Sequence, residues 1–278
     1  MVIEVIAVVA TISFGLGTFL TKGITTQISF LKSIGPLFLL NALFCLPLAL
    51  AQRDWIVFER DIFLIHLTGA FLSGMTAYLI FSIIARSSAS VAVIPQTLSP
   101  AVVLILAPIF LATTVTPLQV FFVVLLIGAT VYPLRMSIPG LKSVPTLVMT
   151  IASGVIVGLV AVNVAMLGER GVNLSETFIV RQLIAGLVYV ALFPPTGLNR
   201  SDFFALVRRA SFMAIGWITS IYAIQNGSVI VAQSILSTTS LWVILFEVIA
   251  QRKAPERSTI GAALVAATGV VALALTSN

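Results

Sequence analysis

The sequence predicts an all-α integral membrane protein of ten transmembrane helices, arranged as two inverted five-helix repeats. Three observations lead there. Of the 278 residues, 59% are hydrophobic and 9% charged, with a mean hydropathy of +1.16; a water-soluble domain carries about 25% charged residues, so this chain cannot cover its own surface with polar groups. The apolar residues fall into ten runs, each close to the roughly 20 residues that cross a bilayer as a helix. The chain also resembles itself at an offset of about 138 residues.

The runs, bounded by charges, Pro, Gly and Ser, lie at roughly 3–22, 34–51, 62–85, 90–112, 117–135, 145–167, 177–194, 209–225, 229–250 and 259–276. The first lacks a basic leader and reads as a span, not a cleaved signal. The fourth is interrupted by Pro95, Pro100 and Pro108, each of which removes a backbone donor and frees a carbonyl one turn earlier. Such irregular backbone is tolerated in a membrane where protein or a cavity satisfies it. The eighth is the shortest and extends back towards Phe203 if Arg208 and Arg209 snorkel to the headgroups. No loop is long enough for a separate domain.

The net charge of +6 comes from Lys and Arg scattered through short loops. Anchoring to lipid headgroups accounts for them, and nucleic acid is not an expected partner. Loops after odd-numbered spans carry eleven of these residues, among them Lys22, Arg86, Lys142 and Lys253, against four (Arg53, Arg60, Arg170 and Arg181) after even-numbered ones. By the positive-inside rule that bias puts both termini outside. Cys45 is the single cysteine, which excludes an intrachain disulfide and a cysteine metal site.

At the 138-residue offset Ala85–Ala112 aligns with Ala223–Ala250, with coincidences at Ser90/Ser228, Val91/Val229, Leu98/Leu236 and Ser99/Ser237. Five spans per repeat is an odd number, so the halves take opposite orientations; inverted repeats with a midplane site between them underlie many alternating-access carriers. The expected units are 1–140 and 141–278.

The small-residue turn Arg86-Ser87-Ser88-Ala89-Ser90, followed by Gln96-Thr97-Leu98-Ser99-Pro100, resembles the start of the fourth helix of EamA-type domains in the drug/metabolite transporter superfamily. Gly227-Ser228 through Ser234-Ile235-Leu236-Ser237-Thr238 is similar. So are Ile260-Gly261-Ala262-Ala263-Leu264 with Thr268-Gly269-Val270, and the glycines Gly15, Gly17, Gly154 and Gly158. The sequence departs from the family where Gly-Glu-Arg often closes helices 4 and 9, reading Ala112-Thr113-Thr114 and Gln251-Arg252-Lys253, and has Phe14-Gly15 for the frequent Trp-Gly. The resemblance implies a prokaryotic plasma-membrane transporter, an exporter of small organic metabolites such as amino acids, with no cofactor. It also implies cytoplasmic termini, opposite to the charge count.

No enzyme is expected. His66 is the only histidine and reads as a membrane-interface residue; no HExxH or Gly-x-Ser-x-Gly motif occurs. A lipid-modifying enzyme would need buried acid–base groups, and a channel would show constitutive conductance; these are the rivals. No metal site is expected. Glu247 is the one carboxylate expected well inside an apolar run and is the candidate for ion coupling, although its place near the span end equally fits an interfacial residue. Arg181 and Arg86 are expected to snorkel, leaving basic residues at span ends and favouring a neutral, zwitterionic or weakly cationic substrate over a phosphate ester. The substrate-binding candidates are Gln96, Gln233 and Asn163, with Tyr78, Trp217 and Trp242 as flat walls. A side-chain amide has four hydrogen-bonding sites and cannot satisfy them within one helix. Partners are a small-molecule substrate and the bilayer; the oligomeric state is left open, with a monomer sufficient.

Overall fold

A computed structural model describes residues 2–52, 55–86, 89, 93–137 and 144–252. Among them every regular element is a helix: α1 (Val2–Gln27), α2 (Phe30–Ala51), α3 (Arg60–Arg86), α4 (Ile94–Leu111), α5 (Pro117–Ser137), α6 (Val144–Glu169), α7 (Leu174–Leu192), α8 (Arg200–Asn226), α9 (Val229–Leu236) and α10 (Thr239–Gln251). Seven spans are long and apolar enough to cross a bilayer, with α9 and α10 joined as Val229–Ala250; α4 adds a shorter apolar stretch, Thr97–Leu111. The apolar segments expected up to residue 250 thus all fold as helices. The tenth, 259–276, lies outside the described residues.

Helix starts follow local chemistry. Asn173 caps α7, its side-chain oxygen accepting the Glu176 N–H at 2.8 Å. Asn199 and Asp202 form a reciprocal capping box on α8, two orphan donors satisfied at once. That box fixes the start of α8 at Arg200, well before the expected 209, and carries Arg209 two turns into the helix.

The ninth expected span is two helices. Ser237, Thr238 and Thr239 turn their hydroxyls back to the carbonyls of Ser234, Ile235 and Leu236 at 2.6–2.7 Å. Consecutive hydroxyls bonding i−3 compete with the helix ladder. The ladder tightens accordingly, with the Thr238 N–H on Ile235 O and the Leu241 N–H on Thr238 O, both at 3.0 Å. A broken helix of this kind is where transporters commonly build binding sites.

Packing pairs the two halves. α1 lies along α8, and α6 along α3; α4 packs on α6, and α9 with α10 on α1; α2 packs on α7; α2 meets α8 as α7 meets α3. Each pairing maps onto another, or onto itself, when every helix is exchanged for the one five spans away. The α2–α7 contact is close enough to require glycine: a Cβ on Gly35 would sit 2.9 Å from the Val190 backbone nitrogen. Backbone cannot rotate away as a side chain can, and small residues are what let membrane helices approach this closely.

Candidate functional site

A cavity of about 120 Å³ lies where α1, α2, α3, α6, α8 and α9 converge. Its wall is mostly apolar: Phe14 of α1, Phe38 of α2, Phe81 of α3, Val160 and Ala161 of α6, and Trp217 of α8. Polar groups are few, namely Thr18, Asn41, Ser73, Thr76, Ser220, Gln233 and Arg209. Small-molecule sites share this pattern of an apolar pocket with sparse, placed polar groups.

Of the residues expected at a binding site, Gln233 and Trp217 line this cavity. Gln233 is buried on α9, and its Nε2 donates to Ser99 Oγ of α4 at 2.6 Å, tying the broken helix to its proline-rich counterpart. Trp217 meets Phe14 edge-on at 5.2 Å between ring centroids. Asn163 is buried on α6 but turns from the cavity towards α3: its Nδ2 donates to Ile65 O at 3.0 Å, and its Oδ1 has no partner. It fits there because α3 carries Gly69; a Cβ at that position would collide with Asn163 Oδ1 and lie 3.5 Å from Arg181 Cδ.

Three candidates lie elsewhere. Tyr78 is 43% exposed and packs on Phe30 at 6.0 Å, off the cavity wall. Trp242 sits on α10 against Phe246 and the Gly15 face of α1. The Gln96 side chain lies outside the described residues. Glu247 is half-buried on α10 and does not line the cavity.

The ionisable residues depart most from expectation. His66 is fully buried, with Nε2 3.3 Å from Glu176 Oε1. Glu176, just outside the expected seventh span, is also fully buried, because α7 starts earlier and places it in the first turn. Its other oxygen accepts the Ile56 N–H at 2.9 Å, and beside it the Ser175 N–H donates to Gln52 Oε1 at 3.1 Å. One carboxylate therefore fastens the loop between α2 and α3 to the start of α7, and does so from the helix end where negative charge is favoured. Among the described residues Glu176, not Glu247, is the most deeply buried carboxylate.

Neither Arg181 nor Arg209 snorkels. Arg209 is buried on the cavity wall, its Nε donating to Thr21 Oγ1 at 2.7 Å and its guanidinium 4.9 Å from the Phe81 ring centre. Thr21 in turn donates to Gly17 O at 2.8 Å, so its oxygen is oriented to accept. Arg181 is 1% exposed, and its Nε and both terminal nitrogens have no hydrogen-bond partner. Its guanidinium lies 5.0 Å from the Trp217 ring centre. A cation–π contact offsets about 2 kcal/mol when desolvated, against several kcal/mol for taking an unpaired ion from water. The expectation that basic residues keep to span ends fails because helix–helix packing offers these two side chains aromatic faces deeper in the bundle. Nothing local in the sequence marks that, since the partner rings come from α3 and α8.

No curated protein matches the sequence. A protein of solved crystal structure superposes with a TM-score of 0.76 at 16% identity, covering 99% of this chain and 96% of its own, and so shares the fold. Residues 1–133 match the EamA-like transporter family. That match covers just under half of the chain, so the likeness to the family is shown for its first half; seven spans of the described residues are long and apolar enough to cross a membrane.

Proposed function

We propose that the protein is a carrier that exports small organic metabolites such as amino acids by alternating access, with the central cavity as its substrate site. The observation that carries this reading is the cavity itself: an apolar chamber at the meeting of both halves, with Gln233 from a broken helix, Trp217 and the cation of Arg209 on its wall. Residues 1–140 and 141–278 form two inverted five-helix units, a reading supported by helix pairings that survive exchange across five spans. The two units rock about the cavity, in the plasma membrane of a prokaryote. Export is the direction the family resemblance implies.

Gln233→Leu tests the site. Leucine keeps the volume and apolar burial but removes the amide, so the protein should fold and reach the membrane. A neutral hydrogen bond contributes about 1 kcal/mol, close to a fivefold change in affinity. Counterflow in liposomes should show the half-saturating substrate concentration raised about fivefold with maximal rate little changed. An unchanged value in a normally produced variant places the substrate elsewhere.

A further inference from the structure

We propose that Arg181, which lies behind Trp217 and not on the cavity wall, is a second anion-binding residue beside the cavity, and that the transported class therefore carries two anionic groups, as small dicarboxylates and acidic amino acids do. The inference rests on the reading of the cavity as the substrate site and deepens it.

Arg181 is an arginine without an acid partner among the described residues. Three of its nitrogens are buried and unpartnered, although a guanidinium presents five donors in a planar fork suited to a carboxylate. The carboxylate nearest along its own helix, Glu176, is already held by His66 and the Ile56 N–H. What covers Arg181 instead is the ring of Trp217, and Trp217 is itself part of the cavity wall. One aromatic side chain thus belongs both to the substrate chamber and to the unpaired cation.

Arg209 repeats the arrangement, its guanidinium lying on Phe81, another wall residue. The two buried cations differ in one respect: Arg209 has a hydrogen bond, to Thr21, whereas Arg181 has none of its Nε or terminal nitrogens satisfied. Among the described residues no carboxylate lines the cavity. A monoanion in the chamber neutralises Arg209 and leaves Arg181 unmatched. A dianion satisfies both, its second carboxylate taking the in-plane N–H edge of Arg181, whose face rests on Trp217.

The test is competition in proteoliposome counterflow with full-length protein, using dicarboxylates paired with their monoamides: glutamate with glutamine, aspartate with asparagine, succinate with succinamate. In the wild type each dicarboxylate should compete at least tenfold better than its monoamide. Arg181→Gln should erase that preference, and Arg181→Lys should keep part of it as a point charge. Equal competition by acid and monoamide in the wild type, or a full preference in Arg181→Gln, overturns the proposal. Should Arg181→Gln not fold, tryptophan emission decides. In protein with Trp55→Phe and Trp242→Phe, leaving Trp217 as sole reporter, succinate should change the emission saturably while succinamate and chloride do not. No response to succinate, or an equal response to chloride, overturns it. Saturable counterflow of other solutes, indifferent to a second carboxylate, removes this inference alone; no counterflow of any metabolite removes the carrier reading with it.

Discussion

Glu176→Ala should lower the stability of the folded protein by about 2–4 kcal/mol, read as a lower melting temperature in detergent. The carboxylate is fully buried and serves two partners, His66 Nε2 at 3.3 Å and the Ile56 N–H at 2.9 Å. Alanine strands both, and each buried polar group left unsatisfied costs about 1–3 kcal/mol. The loss falls on one corner of the bundle, where the loop before α3 is held to α7 through Glu176 and through the Gln52–Ser175 bond. Glu176→Gln keeps an acceptor oxygen at nearly the same volume and should recover at least half of the loss. An alanine variant as stable as the wild type would show that the loop is held by other contacts.

Arg209→Gln should raise the half-saturating concentration of an anionic metabolite about 30-fold in liposome counterflow. Arg209 is the only charged residue on the cavity wall among the described residues. A hydrogen bond to a charged group contributes about 2 kcal/mol, and each 1.4 kcal/mol is a factor of ten. The side chain is already aimed, by the 2.7 Å bond from Nε to Thr21 and the face of Phe81, so little ordering is required when substrate arrives. Arg209→Lys keeps the charge but not the fork and should fall between the two. Equal affinity in Arg209→Gln and wild type would separate this cation from the substrate.

Much of the fold could be read from the sequence because a bilayer imposes one simple demand. Backbone groups must be satisfied within each segment, so an apolar run of sufficient length becomes a helix. The helices from α1 to α7 sit within a few residues of where hydropathy puts them, and α8 starts earlier because of its capping box. The division between α9 and α10 is not legible in the sequence, since it depends on Ser237, Thr238 and Thr239 all bonding their own backbone over other partners. Among site residues, Gln233 and Trp217 could be read from their chemistry: an amide and an indole inside an apolar helix both need a polar neighbour or a cavity. Tyr78 and Trp242 carry the same chemistry but face lipid or a neighbouring helix, which depends on the rotation of each helix about its axis.

The buried charges were the hardest to read. Treated one span at a time, Arg181, Arg209 and His66 each lie near enough to an end to reach the interface. Their burial arises from partners distant in sequence: Trp217 for Arg181, Thr21 and Phe81 for Arg209, Glu176 for His66. The usable signal was the cap. Asn173 followed by Glu176 three residues later is a helix-start pattern, and it would have moved the start of α7 back far enough to bring Glu176 inside the bundle.

On the proposed reading the cavity serves a carrier and not an open conduit. Purified wild-type protein in liposomes, loaded with an unlabelled metabolite panel and offered tracer outside, tests it most directly while membrane current is recorded in parallel. A carrier gives tracer accumulation that saturates with substrate and depends on solute inside, without ohmic conductance. Current that rises linearly with voltage, or tracer entry that never saturates and ignores the solute inside, would contradict it.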